Sequence, residues 1–219
     1  MAGKLVIFDL DGTILDTLED LHDSLNEILR RHGMEERTLG ETRSFVGNGI
    51  RKLICRAVAE GTGEETIDIM FSEFLPYYKE HCKEKTVPYR GIPELLKKLR
   101  GERYQTAVVS NKADSAVQEL CTHYFPGLFD ACAGEKPDIR RKPSPDAVNL
   151  LLSELSVQKE KAVYIGDSDV DVETARNAGL SFIGVDWGFR GKEFLASHGA
   201  DRIAMNPEEL FDQIHERLP

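Results

Sequence analysis

The chain has 219 residues, with 28 Lys and Arg against 38 Asp and Glu and a formal net charge of −10. That length suits one α/β domain, or a core carrying a smaller accessory one, and either buries a substantial apolar interior. The acidic balance repels a nucleic-acid backbone, and no apolar run approaches the roughly 20 residues that span a bilayer, so neither nucleic acid nor membrane is an expected partner. Cys55, Cys82, Cys121 and Cys132 have neither paired close spacing nor neighbouring histidines. With no signal peptide ahead of them, they read as reduced thiols in a cytoplasmic protein.

Short apolar runs alternate with amphipathic stretches along the chain, the pattern of a mostly parallel sheet wrapped by helices. The first expected strand is Lys4 to Leu10. It runs into Asp9-Leu10-Asp11-Gly12-Thr13, where carboxylates two residues apart on extended backbone face one space. Such a pair is costly unless a cation or a shared proton offsets the repulsion, which points to a metal site, an acid/base pair or both. An ordinary Asp-Gly turn would explain Asp11-Gly12 taken alone.

A long segment from Asp16 to Thr86 follows, with no strand signal and with Leu18, Leu21, Leu25, Ile28 and Leu29 at helical spacing. The spacing predicts a separate helical unit. Its first helix runs from Asp16 or Thr17 to Gly33, behind Arg30, Arg31 and His32, basic residues suited to a helix carboxyl end. Further helices are expected over Ile50 to Glu60 and Glu64 to Lys83. Turn residues Pro88 to Gly91 lead back to the core, where Pro93 suits the first position of a helix to Arg100.

The second strand, Gln105 to Ser110, leads into Ser110-Asn111-Lys112, a hydroxyl, an amide and helix-start N–H groups where an anion could sit. Arg140-Arg141-Lys142-Pro143-Ser144-Pro145-Asp146 is a basic cluster in an acidic chain, with Pro145 placed to start a helix. The third strand, Ala162 to Gly166, leads into Gly166-Asp167-Ser168-Asp169-Val170-Asp171. Its acids could complete an oxygen cage for a hard cation, or serve as cap and first-turn residues of a helix, which is the reading given to Asp169. A fourth strand is expected over Ser181 to Asp186. The expected fold is α/β: a doubly wound, mostly parallel, Rossmann-like sheet core (residues 1–15 and 87–219) with a small helical domain (16–86) inserted after the first strand.

In order, strand-DxDGT, strand-SN, loop-KPxP and strand-GDxxxD resemble all four motifs of the haloacid dehalogenase superfamily. The resemblance implies that Asp9 attacks phosphorus and becomes an aspartyl phosphate, while Asp11 protonates the leaving group and then activates water. It implies Mg2+ held by Asp9, the Asp11 carbonyl and Asp167, with Asp171 in its first or second shell. Lys142 would neutralise charge between Asp9 and the phosphoryl group; Lys136-Pro137 is a second Lys-Pro pair without the following x-Pro. Thr13, Ser110 and Asn111 are assigned to substrate binding. An acid at Asp11 marks the phosphatase form of the family.

The same resemblance makes residues 16–86 a helical cap that closes over the site and reads the leaving group. Arg43-Ser44-Phe45-Val46-Gly47-Asn48-Gly49 is similar to the cap loop of phosphoglycolate phosphatases, which adds Gly47 and Asn48 to the substrate-binding candidates. A plain turn between helices is the other reading of that loop. The implied partner is a small phosphorylated metabolite, 2-phosphoglycolate first. A phosphosugar mutase like β-phosphoglucomutase, a pyrophosphatase and a non-catalytic binding protein are the alternatives, and the sequence selects neither a monomer nor a homodimer.

Overall fold

The computed structural model describes residues 3–218 and divides the chain into two compact units, Asp16–Val87 and the remainder, each described by itself. In chain order the elements are β1 (Lys4–Phe8), β2 (Leu15–Asp16), α1 (Leu18–Arg31), α2 (Leu39–Phe45), α3 (Ile50–Ala57) and α4 (Glu64–His81). Then come β3 (Val87–Pro88), α5 (Ile92–Gly101), β4 (Tyr104–Ala113), α6 (Asp114–Tyr124), β5 (Ala131–Glu135) and α7 (Asp146–Glu154). The chain ends with β6 (Ala162–Gly166), α8 (Asp169–Ala178), β7 (Ser181–Val185), α9 (Lys192–Ser197), β8 (Ile203–Ala204) and α10 (Pro207–Arg217).

The larger unit is built on a six-stranded sheet in the order β5-β4-β1-β6-β7-β8, every neighbouring pair parallel. Apolar residues on both faces explain the near-continuous Val, Ile and Leu runs of the central strands. Leu5, Ile7 and Tyr164 share one face and pack with Val148 and Leu151 of α7 and Ala175 of α8. By strand alternation Val6 and Phe8 turn to the opposite face, where Phe8 meets Phe129 edge to face at 6.3 Å. Full burial of each such side chain contributes about 1.5–3 kcal/mol. After β1 the chain builds β4 and β5 on one side, then crosses to β6 on the other. Strand order therefore reverses at β1, and a crevice opens at the carboxyl ends of β1, β4 and β6.

The smaller unit is four helices. Leu18, Leu21, Leu25, Ile28 and Leu29 of α1 are all buried, as their spacing predicts. Helix α2, not anticipated in the sequence, is seven residues with one buried position, Thr42. Its signal lies at its start: Thr38 and Glu41 form a capping box, each side chain accepting from the other's backbone N–H. The Asp20 carboxylate accepts from the backbone N–H groups of Lys85 and Thr86, both at 2.9 Å, and so fixes the segment that leads out of this unit.

Three expectations need correction. Strand β4 does not stop at Ser110 but continues to Ala113, and α6 begins only at Asp114. Ser110 and Asn111 thus lie on extended backbone, not at a helix start. Over this stretch the pairing with β5 shifts register between Val109 and Ala113 and resumes at Ala113 opposite Glu135. Strand β5 itself, Ala-Cys-Ala-Gly-Glu, has none of the β-branched residues that mark the other core strands. Pro145 caps α7 and does not open it, because the first helical residue is Asp146.

Candidate active site

Asp9 follows directly on β1, and its backbone N–H donates to the Ile165 carbonyl of β6 at 2.9 Å, which continues the ladder one residue beyond the strand. Asp167 follows directly on β6. Asp171 lies in the first turn of α8, where Ser168 is the N-cap and Asp171 the acidic partner of a capping box. Sequence reasoning offered Asp167 as a possible cap; the structure gives that task to Ser168 and leaves Asp167 facing the crevice end of the sheet. The three carboxylates are buried, and one oxygen of each lies within 4.8 Å of the others.

One ammonium sits among them. Lys142, 4% exposed at its side chain, places Nζ 2.7 Å from Asp9 Oδ1 and 2.7 Å from Asp171 Oδ1. It also donates to the Tyr164 hydroxyl at 3.2 Å. Lys136 is exposed and pairs with Asp114 at 3.4 Å, away from these carboxylates. The Asn111 side chain explains how Lys142 is held: its amide nitrogen donates to the Lys142 carbonyl at 3.1 Å, and its oxygen accepts from the Lys142 N–H at 2.8 Å. Asn111 therefore works with its side chain on the protein and offers a ligand only its backbone. The Ser110 hydroxyl, on the same buried stretch of β4, accepts from the Lys112 N–H at 3.2 Å.

Electrostatics follow from three buried acids sharing one cation. Burial first, then repulsion from Asp171, pushes the Asp9 carboxyl up from its ordinary 3.8 to about 7 against the pull of Lys142. Asp167 rises well above the usual carboxylate range, chiefly by burial and then through Asp171 and Asp9. Burial alone would lower the Lys142 ammonium, but Asp171 and Asp9 outweigh it and hold it protonated well above its ordinary value. The surplus of buried negative charge, all on hard oxygen donors, fits a divalent cation such as Mg2+. Both Asp171 oxygens already accept donors, Oδ2 from the Ser168 N–H at 3.1 Å and hydroxyl at 2.6 Å, and Oδ1 from Lys142. Asp167 is likewise engaged at both oxygens, by the Phe189 N–H and the Thr13 hydroxyl, so the three carboxylates stand together as the candidate ligand set.

Two contacts escaped the sequence. Lys112, 3% exposed at its side chain, sets Nζ 2.7 Å from Asp11 Oδ1, a second ion pair, buried on the lysine side and partly buried at Asp11. Its position directly after Ser110-Asn111 was visible, but a lysine at a strand end ordinarily reads as solvated. The other is the loop after β7. The Phe189 N–H donates to Asp167 Oδ2 at 2.6 Å, and Trp187 Nε1 donates to the Thr13 carbonyl at 3.0 Å. Gly188 is obligatory there, since a Cβ would collide with the Asp167 side chain and the Gly12 carbonyl. Gly12, at φ +87°, faces the same carboxylate from the other side.

Thr13 is fully buried, and its hydroxyl donates to Asp167 Oδ1 at 3.4 Å. Its hydroxyl thus touches one carboxylate of the cluster. Gly47 and Asn48 belong to the helical unit, in the turn between α2 and α3. Arg56 secures that turn, donating to the Phe45 carbonyl at 2.6 Å and to Asn48 Oδ1 at 2.7 Å, while Gly47 and Gly49 take φ of +118° and +83°.

Comparison with known proteins accords with this geometry. The family model for haloacid dehalogenase-like hydrolases matches residues 6–185. A phosphoglycolate phosphatase of Psychrobacter arcticus is 32% identical, over 97% of this chain and 93% of its own length. An N-acetylmuramic acid 6-phosphate phosphatase of Pseudomonas aeruginosa is 32% identical, over 100% of this chain and 97% of its own. Among solved structures, a protein from Lactobacillus delbrueckii subsp. bulgaricus, provisionally assigned as a phosphoglycolate phosphatase, superposes with a TM-score of 0.93 at 39% identity, covering 98% of this chain and 99% of its own.

Proposed function

The chain belongs to the haloacid dehalogenase-like hydrolases, and from that premise we propose that it is a phosphatase that cleaves small phosphate monoesters through Asp9, with 2-phosphoglycolate the first candidate substrate. The observation that carries the reading is the buried ammonium of Lys142 bridging Asp9 and Asp171 beside Asp167. A structural ion pair needs one acid; three acids around one lysine leave charge that a cation and a phosphoryl group together can balance.

The chemistry assigned to the residues is as follows. An Asp9 oxygen attacks phosphorus and the bond to the leaving alkoxide breaks, with the Asp11 carboxyl supplying the proton that the alkoxide takes. Asp11 then accepts a proton from water, whose oxygen attacks phosphorus, and the bond to Asp9 breaks to release inorganic phosphate. Lys142 keeps Asp9 oriented and lowers the repulsion met by an incoming dianion, and Ser110 with the Asn111 N–H is suited to hold phosphoryl oxygens. Mg2+ would be held by Asp9, Asp167 and the Asp11 carbonyl, and when bound it supplies neutralisation of charge shared between carboxylate and phosphate.

The test is phosphate release from a panel of small esters, with and without Mg2+. 2-Phosphoglycolate, a muramic sugar 6-phosphate, other sugar phosphates and pyrophosphate cover the activities of the relatives and the alternatives. Release that needs Mg2+ and favours one ester supports the proposal; isomerised sugar phosphate without release, or no turnover of any member, contradicts it.

A further inference from the structure

We propose that a cavity of about 410 Å3 at the amino-terminal edge of the sheet, away from the carboxylate cluster, is a second anion site that takes the phosphoryl group of a small organic phosphate or inorganic phosphate itself. Arg176 of α8, Arg202 before β8 and Arg217 at the end of α10 line it together with Ser181 and Phe182, the first two residues of β7. Asp201 is the acid on its wall. Asp167, by contrast, follows the carboxyl end of β6, and Ser181 pairs with Val163 near the other end of that strand. About 13 Å of chain, four residues at roughly 3.3 Å, separates the two levels.

Three guanidinium groups around one concavity repel each other, and in a chain of net charge −10 they stand out from their surroundings. Only one of the three has an acidic partner among the described residues. Arg202 pairs with Glu216 at 3.0 Å. Arg217 Nε donates at 2.5 Å to the Ser181 hydroxyl, a neutral acceptor that leaves the charge uncompensated and the terminal nitrogens still able to donate. Arg176 makes no ion pair or side-chain hydrogen bond among the described residues, and its Nη2 lies against Gly199, across the cavity from its own helix. A place in the last turn of α8 is favourable for one cation through the helix dipole. It does not account for Arg217, whose given partner is neutral.

A dianionic phosphoryl group is the ligand that planar, forked donors recognise best, because parallel N–H donors match its oxygens two at a time. The volume lies within the range of small-molecule sites and exceeds what phosphate alone fills, and the half-buried Phe182 ring gives an organic body a surface to pack on.

The experiment follows backbone amide shifts by NMR in the metal-free protein as inorganic phosphate, and separately adenosine monophosphate, is added. Sodium chloride at matched ionic strength is the blank. The expected result is saturable shifts at residues 180–182 and 199–202 that persist in Lys142→Ala, which removes the cation of the carboxylate cluster. They should weaken at least tenfold in Arg176→Ala/Arg217→Ala, whose phosphate release stays within twofold of wild type. Tighter binding of the nucleotide identifies an organic phosphate as the ligand; equal or weaker binding identifies inorganic phosphate. Arg176→Lys keeps the charge but loses the fork and should also weaken binding, so the question is decided even if the double variant misfolds. Shifts matched by chloride, or left unchanged by the arginine substitutions, overturn the proposal.

Discussion

Lys142 illustrates how much a single side chain carries. Replacing it by Ala leaves Asp9 and Asp171 buried without their common partner, and stranding buried charge typically costs about 3–5 kcal/mol. We expect denaturant unfolding of metal-free Lys142→Ala to show a loss of that size, together with a fall in kcat/KM of about 100- to 1,000-fold or more. Lys112→Met should act differently. It frees the Asp11 carboxylate to move, and a small misplacement of a catalytic group costs about 100-fold. The expected signature is a lowered kcat with little change in KM, read from steady-state kinetics. Asp9, Asp11, Asp167 and Asp171 could all be picked out of the sequence because each stands just beyond a strand end inside a recognisable motif, and Lys142 because it stands in a Lys-Pro-x-Pro loop ahead of a helix. The roles of Thr13 and the Asn111 side chain could not, since both depend on a partner more than thirty residues away, Asp167 for one and the Lys142 backbone for the other.

At the scale of elements, the strands that were legible are those buried on both faces, whose β-branched runs announce them. Strand β5 and helix α2 were not: one consists of small residues and the other buries a single side chain, so neither carries a periodic apolar signal. The extension of β4 through Lys112 is a matter of pairing with β5, which no local propensity encodes. The loop after β7 is the element whose part was least visible, and it yields a sharp expectation. Gly188→Ala forces a methyl group into the Asp167 side chain, and overpacking of this kind costs about 1–3 kcal/mol. Calorimetric titration with Mg2+ should show weaker binding than wild type while the circular dichroism spectrum is unchanged; unaltered affinity would mean that the loop does not position Asp167.

For the whole molecule, the buried acids couple stability to pH. In the folded, metal-free chain Asp9 keeps its proton up to about pH 7, whereas in the unfolded chain it releases it near the ordinary 3.8. Between those values the unfolded state binds fewer protons. The contribution of Asp9 to stability is therefore fully present below about pH 4 and is lost as pH rises toward 7, and Asp167 acts in the same direction. A divalent cation relieves the repulsion that deprotonation creates, so the rise in Tm on adding Mg2+ should be larger near pH 8 than near pH 5. Equal rises at both values would show that the carboxylates are not the cation's ligands.

The central claim is that Asp9 becomes covalently phosphorylated, and acid-quenched turnover tests it most directly. The protein is mixed with the preferred ester carrying a 32P-labelled phosphoryl group, stopped in acid within one turnover, digested and sequenced by mass spectrometry. Label on the peptide containing Asp9, absent in Asp9→Asn together with a loss of phosphate release of about 10,000-fold or more, is the expected result. Full turnover with no protein-bound label, label on another residue, or undiminished release by Asp9→Asn would contradict it.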